Sequence, residues 1–229
     1  MREAIILSGG LGTRLREAVP NLPKSMAPVV GRPFLEILLT KLAQNGFKRI
    51  ILALGFMADK IIDHFGQEFA DMEIVYVVED APLGTGGAVK LAMLASTQEH
   101  VFIFNGDSFL DLEVNKVDEQ WQLHKRPIIV GCQVPDTVRY GRLLTNAEVI
   151  VGFTEKGITG PGIINAGCYV LNQGQLDSFA ENSAFSLEVD FFAKIVKKID
   201  IDVFVSSGHF IDIGIPEDYA RAQIEFALT

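Results

Sequence analysis

The sequence holds 229 residues, 48% of them hydrophobic and 21% charged, with a formal net charge of −9. That length suits one domain, or one domain with a lobe, able to bury a substantial core. An acidic chain lacks the basic face that a nucleic acid demands, whereas a small phosphorylated ligand needs a few local cations and a polyphosphate would bring in a divalent metal.

Cys132 and Cys168 are too few for a disulfide framework, and both lie in apolar runs, which predicts buried free thiols in the cytoplasm. The N-terminal apolar run stops at Ser8, and no stretch approaches the ~20 apolar residues of a membrane span. Neither a signal peptide nor a membrane partner is therefore expected.

In chain order, residues 3–8 (EAIILS) form a short, almost continuously apolar run, the pattern of a strand buried on both faces. Residues 49–54, 73–78 and 100–105 repeat it. Between them, residues 33–46 carry leucines at helical spacing and stop at Gly46, a plausible C-terminal cap. Residues 58–66 and 86–96 read likewise as helices. Strand–helix alternation predicts a parallel sheet covered by helices on both faces. Beyond Pro127 the texture changes: residues 127–134, 141–145, 149–155 and 164–172 are strand-like with short connections, so antiparallel or mixed pairing is expected. Helices return at 186–198, with Ser186 as N-cap, and at 216–228, where Pro216 takes the first position and Glu217 and Asp218 the first turn. The pattern predicts one α/β domain with a less regular lobe over residues 127–187.

After the first strand, Gly9, Gly10 and Gly12 leave backbone N–H groups open to an anion, and Arg14 adds a fixed cation. A dinucleotide-binding turn wants a third glycine where Leu15 stands, and no Gly-Lys-Ser/Thr triplet follows for a Walker-type loop. By itself the glycine triplet also reads as a tight strand-to-helix turn.

The longer stretch Gly9–Pro33, GGLGTRLREAVPNLPKSMAPVVGRP, resembles the signature of the sugar-phosphate nucleotidyltransferases, or nucleotide-sugar pyrophosphorylases. Pro82–Val89 (PLGTGGAV) resembles that family's nucleobase loop, and Asn105–Phe109 (NGDSF) its metal-binding turn. YGRL and FTEKG resemble its sugar-contacting elements, INAGCYVL the strand lining its sugar pocket, and Phe210–Tyr219 the late motif that brings a second metal ligand. The matches run in family order from residue 5 to about residue 220. They imply a Rossmann-like mixed, mostly parallel sheet sandwiched by helices, with a small β-rich sugar-binding lobe. Residues 1–126 would be the nucleotide-binding half, and residues 127–229 the sugar-phosphate-binding lobe and closing helices. The implied reaction joins a nucleoside triphosphate to a sugar 1-phosphate, releases pyrophosphate and uses Mg²⁺.

The site residues follow from that resemblance. Asp107 and Asp212 would hold the metal: two carboxylates, supplemented by phosphate oxygens and water, suit Mg²⁺. Asp107 follows an apolar strand, where a carboxylate projects from the C-terminal edge of an open sheet; read alone, each is a strand-end acid capping a turn. Lys24, on a segment held non-helical between Pro23 and Pro28, would neutralise phosphate charge together with Arg14 and Lys156. Arg16 ranks lower, as a phosphate contact or a surface charge. Leu7, Ser8, Gly9, Gly10, Gly12, Thr13 and Arg14 would line the nucleotide, with Gly84 and Thr85 completing the base pocket.

Glu79 stands five residues before Gly84, where the resemblance places the reader of the base edge. An ionised carboxylate only accepts hydrogen bonds. It matches the N1–H and N2 amino donors of guanine and would be repelled by the O4 or O2 of uracil, which points to GTP. Taken alone, Glu79 also reads as an exposed strand-end acid. Glu155 and Lys156, with Tyr140, Gly141, Asn165 and Gly167, would hold the sugar phosphate. Glu188 resembles the family's acid at that point, although a helix N-terminus alone would explain it. His64, His100, His124 and His209 show no ligand spacing and form no local nucleophile pair.

Compact members with an acid at the base-reading position resemble most the subgroup acting on heptose 1-phosphate, then that acting on mannose 1-phosphate, both guanylyl-transferring. Uridylyl or thymidylyl transfer and a non-catalytic nucleotide-sugar-binding subunit stay open, with a Rossmann-type oxidoreductase more remote. With the sequence stopping at residue 229, no β-helix or acyltransferase domain is expected. A homodimer is implied by the resemblance alone.

Overall fold

A computed structural model describes residues 1–10, 12, 15 and 19–228. Ten strands form one sheet, in the spatial order β10 (Leu143–Asn146), β11 (Val149–Phe153), β13 (Asp202–Ser206), β9 (Ile128–Val134), β12 (Gly162–Asn172), β7 (His100–Asn105), β1 (Arg2–Ser8), β4 (Phe47–Leu54), β6 (Met72–Val78) and β5 (Glu68–Phe69). Two short antiparallel pairs stand apart, β14 (Phe210–Asp212) with β8 (Ser108–Leu110) and β2 (Pro28–Val29) with β3 (Arg32–Pro33). Strands β7, β1, β4 and β6 are mutually parallel neighbours, as the first-half alternation predicts. β12 runs against both β7 and β9, while β13 lies parallel to β9. The outcome is a mixed sheet in which β1, β4, β6, β7, β9, β10 and β13 share one direction.

Alternation along the strands sends side chains to both faces. Ala4, Ile6, Ile50, Leu52, Phe102 and Phe104 pack under α1 (Phe34–Gln44), α2 (Ala58–Phe65) and α4 (Val114–His124). Ile5, Ile51, Ala53, Val101 and Ile103 pack on the opposite face under α3 (Gly84–Met93) and the segment Leu187–Phe192. Each such fully buried Ile, Leu or Phe contributes about 1.5–3 kcal/mol of transfer free energy. A third, smaller cluster joins Leu15, Phe34, Phe109 and Ile211 beneath α6 (Pro216–Glu225).

The helix starts and stops are those the sequence marks. α1 ends before Gly46, whose φ is +81°, and Pro216 occupies the first turn of α6. Ser186 caps its helix by accepting from the Val189 N–H at 3.1 Å, while its own N–H donates to Asp190 Oδ2 at 2.9 Å. That helix, however, is π-wound over Leu187–Phe192 before a short α turn, α5 (Ala193–Ile195). π-turns of this kind gather at functional sites. Several elements escape the sequence reading, α4 and β13 the longest among them. The chain leaves β1 for β4 on one side and later reaches β7 on the other, so the C-terminal ends of β1 and β7 mark a switch point of the sheet, where open α/β sheets bind ligands.

Candidate active site

At that switch point the strand ends open a cleft of about 390 Å³. β1 brings Leu7 and Ser8 and leads into Gly9, Gly10 and Gly12; β6 leads to Glu79; the start of α3 contributes Gly84 and Thr85. β7 ends on Asn105 and passes through Gly106 to Asp107, and a 3₁₀ turn over Lys24–Met26 supplies Lys24 and Ser25. Gly12, at φ +59°, lies so close that a Cβ there would sit 3.0 Å from the Cβ of Lys24. The glycine turn and the Pro-Lys segment are thus packed on each other, which holds Lys24 against the floor.

Glu79 spans one wall. Its N–H donates to the Leu54 carbonyl at 2.9 Å, continuing the sheet, and its Oε2 accepts from the Leu83 N–H at 2.9 Å. Oε1 faces the glycine turn, 3.1 Å from where a Gly9 Cβ would stand. The carboxylate is therefore fixed at the cleft by the loop that carries Gly84, with Oε1 free of a protein donor among the described residues.

The opposite end is anionic with a built-in cation. Lys24 Nζ is paired with Asp107 Oδ2, and both side chains are mostly withdrawn from solvent. Pairing of β14 with β8 sets Asp212 opposite Ser108, and the Ile213 N–H donates to the Asp107 carbonyl at 2.9 Å, so the two aspartates are brought together by backbone register. A Cβ on Gly214 would stand 2.8 Å from Asp212 Oδ1 and 3.2 Å from Lys24 Nζ, so both heads converge on this glycine. Burial and the neighbouring Asp107 charge push the Asp212 carboxyl above the usual carboxylate range, with Lys24 opposing them. Two hard oxygen donors that repel each other this way fit a divalent cation completed by water and phosphate oxygens. Among the described residues no group of three or more His, Cys, Asp or Glu gathers to cage a metal.

Three buried side-chain oxygens have no protein partner among the described residues: Ser8 Oγ, Ser25 Oγ and Asn105 Oδ1. All three residues line the cleft. Unsatisfied buried polar atoms are rare and costly, and these belong to residues that wall one cleft. The sequence reading gives Ser25 and Asn105 no role of their own, although Ser25 follows Lys24 and Asn105 opens the NGDSF stretch.

Comparison with known proteins places this geometry. The family model described as "Nucleotidyl transferase" matches residues 3–227. The chain belongs to the nucleotidyl transferase family. D-glycero-alpha-D-manno-heptose 1-phosphate guanylyltransferase from Aneurinibacillus thermoaerophilus is 38% identical over 97% of this chain and 97% of its own length. The protein of the same description from Campylobacter jejuni is 37% identical, over 95% of this chain and 96% of that one. The crystal structure of HddC from Yersinia pseudotuberculosis, complexed with GMP-PN, superposes with a TM-score of 0.88 at 37% identity, covering 99% of this chain and 100% of that one.

Within this nucleotidyltransferase, the structure brings Leu7, Ser8, Gly9, Gly10, Gly12, Lys24, Glu79, Gly84, Thr85 and Asp107 into one cleft. Thr13 and Arg14, like Arg16, lie outside the described residues. The candidate sugar-side residues are set around the cleft rather than in its wall. Asn165 and Gly167 sit on β12 at a break in its register with β9, and a Cβ on Gly167 would stand 2.7 Å from the Nδ2 of cleft-lining Asn105. Tyr140 is half-buried, and burial, then the Asp212 charge, raises its hydroxyl above the usual range. Gly141 packs so tightly that a Cβ would lie 2.6 Å from the Thr154 carbonyl oxygen. Glu155 and Lys156 are exposed on the turn beyond β11. The neighbouring Arg142 is committed to the loop itself: its guanidinium donates to Thr137 Oγ1 at 2.6 Å and to the Ile158 and Gly160 carbonyls at 3.4 and 3.2 Å.

Proposed function

We propose that this nucleotidyltransferase moves GMP from GTP to a sugar 1-phosphate, D-glycero-α-D-manno-heptose 1-phosphate foremost, releasing pyrophosphate. The observation that carries the reading is the cleft itself. At one wall, Glu79 presents a carboxylate oxygen as an acceptor for a base; at the other end, Lys24, Asp107 and Asp212 converge for phosphates and a metal. The likeness to guanylyltransferases over nearly the whole chain supports the same substrates.

In this reading the anomeric phosphate attacks the α-phosphorus of GTP in line, and pyrophosphate leaves. Both reactants are anions, so the barrier is repulsion and misalignment, which positioned charge lowers. Lys24 neutralises phosphate charge from the floor, joined by Arg14 and Lys156. Asp107 and Asp212 would hold Mg²⁺, which when bound screens the phosphate oxygens and offsets charge on the leaving group. Gly9, Gly10 and Gly12 let the triphosphate approach the backbone, and Thr13 would belong to the same nucleotide-binding stretch. Gly84 and Thr85 would bound the base that Glu79 reads, while Tyr140, Gly141, Glu155, Asn165 and Gly167 would hold the sugar. No proton acceptor is required, because the attacking phosphate is already ionised at neutral pH. Two buried free thiols, Cys132 and Cys168, accord with a reducing cytoplasmic setting, which belongs to this proposal together with a homodimeric state and the division at residue 126.

Pyrophosphate release with Mg²⁺ across four nucleoside triphosphates and a panel of mannose, glucose, N-acetylglucosamine and D-glycero-D-manno-heptose 1-phosphates tests the reading. Release confined to GTP and the heptose is the expected result. GTP with mannose 1-phosphate alone would correct the sugar, and preference for UTP or dTTP would overturn the role of Glu79. Silence across the panel from folded, nucleotide-binding protein would leave a non-catalytic subunit in its place.

A further inference from the structure

Glu188 lies outside the cleft wall, on the π-wound turn, yet its carboxylate gathers three hydroxyl donors. Thr85 Oγ1 donates to Oε2 at 2.8 Å, Ser186 Oγ donates to the same oxygen at 2.9 Å, and the Tyr169 hydroxyl donates to Oε1 at 2.9 Å. No Lys or Arg pairs with it among the described residues. The Thr85 hydroxyl is also occupied as an acceptor, by the Leu187 N–H at 2.9 Å. The base loop and the π-turn are thereby locked to one another, and the Gly86 N–H adds a bond to the Phe185 carbonyl at 2.9 Å.

The chain of bonds continues across the sheet. Tyr169 is 1% exposed, and burial, reinforced by the Glu188 charge, holds its hydroxyl well above the usual range, so it stays protonated. While donating to Glu188 it accepts from Asn165 Nδ2 at 2.9 Å, and Asn165 Oδ1 accepts from the Gly167 N–H at 2.9 Å. These two bonds fix which way round the Asn165 amide stands, because a flipped amide would set its NH₂ against the Gly167 N–H. They occupy Oδ1 and one of the two Nδ2 protons, and the second proton has no protein partner among the described residues. Asn165 also stands at the register break of β12, the kind of irregularity that re-aims a side chain beside a site.

We propose that Glu188 is a positioning residue which, through the Tyr169 hydroxyl, sets the Asn165 amide to donate to a hydroxyl of the sugar phosphate. The Thr85 and Ser186 hydroxyls anchor Glu188 from the nucleotide side. The inference rests on the proposed sugar-phosphate transfer and adds a residue that touches neither substrate.

Tyr169→Phe in the full chain isolates the link, since it keeps the ring and both carboxylate anchors. The expected result is a KM for the sugar 1-phosphate raised about tenfold, as loss of one buried hydrogen bond to a charged group implies, with kcat within about twofold and the KM for GTP unchanged. Glu188→Gln should raise the same KM, and the double variant should be no worse than the poorer single one, because both act on one relay. A merely structural role would move the KM for GTP and the thermal midpoint in step with the sugar term, and that outcome overturns the inference. So does Tyr169→Phe at wild-type KM beside a defective Glu188→Gln, which would make Glu188 a direct sugar contact. A wild-type chain without turnover on any sugar 1-phosphate overturns the proposed function and this inference with it.

Discussion

Lys24 is ion-paired with Asp107 at the anionic end of the cleft, and its ammonium also reaches toward Asp212 beside Gly214. One cation thus holds two carboxylates close together in a partly buried place, where their charges would otherwise drive them apart. The pair holds the Asp107 carboxylate beside Lys24 in the cleft before any substrate enters. Asp107→Asn preserves shape and removes the charge. Metal-dependent pyrophosphate release should fall by about 10²-fold or more, while the thermal midpoint stays near that of the wild type. Near-normal turnover would remove Asp107 from the metal site.

Glu79→Gln tests base selection cleanly, because the loop bond from the Leu83 N–H needs only an acceptor and the Gln carbonyl oxygen supplies one. What changes is the atom facing Gly9, where an acceptor becomes an NH₂ donor. Guanine's adjacent donors then meet a donor, whereas uracil's carbonyl gains a partner. The ratio of kcat/KM for GTP over UTP should fall by about tenfold or more. An unchanged ratio would show that another group reads the base.

Gly167 carries a second, structural test of the sugar side. Its φ is +72°, and a Cβ there would meet Asn105 Nδ2 at 2.7 Å. Gly167→Ala must therefore combine a left-handed backbone with displacement of a cleft-lining amide, a cost of about 1–3 kcal/mol. Denaturant unfolding should show that loss, and the KM for the sugar phosphate should rise with it. A loss below about 0.5 kcal/mol would mean that the register break in β12 relaxes around the new methyl.

Legibility in the sequence followed the range of the interactions. The four parallel strands and the cleft residues Gly9, Gly10, Lys24, Glu79, Gly84 and Asp107 were readable because local pattern or contiguous motif encodes them. α4 was missed: it buries Val114, Val117 and Trp121 along a stripe set among Asn, Lys, Asp, Glu and Gln. β13 was missed because DVFVS is short and is made a strand by parallel pairing with the distant β9. No periodicity announces a π-turn, and the bonds that Glu188 makes to Thr85 and Tyr169 span 103 and 19 residues of sequence. Ser25 and Asn105 became visible through their unpartnered buried oxygens, a property of packing alone.

Glu3 supplies a pH test at the opposite end of β1. Its carboxylate is buried, yet it accepts from Ser96 Oγ at 2.7 Å and the Thr97 N–H at 3.0 Å, and it pairs with Arg49 Nη1 at 3.3 Å. Burial alone would push its carboxyl up, but the hydrogen bonds from Thr97 and Ser96 and the Arg49 charge together outweigh it, so Glu3 sits below the usual range. A depressed folded-state value means that the stabilisation is fully present above the ordinary glutamate value, about 4.3, and is lost as pH falls through the lower folded value. Thermal midpoints of the wild type should accordingly drop as the buffer is taken from neutral toward pH 3. Glu36 and Glu113 are depressed too, by hydrogen bonds that outweigh their burial, so part of the acid limb belongs to them. Glu3→Gln separates the contributions: it should be less stable than the wild type at neutral pH by about 1–3 kcal/mol, since one oxygen that accepted becomes a donor facing donors. The gap should then narrow as the wild-type carboxylate protonates. Curves that run parallel down to pH 3 would show that Glu3 does not carry the acid sensitivity of the sheet.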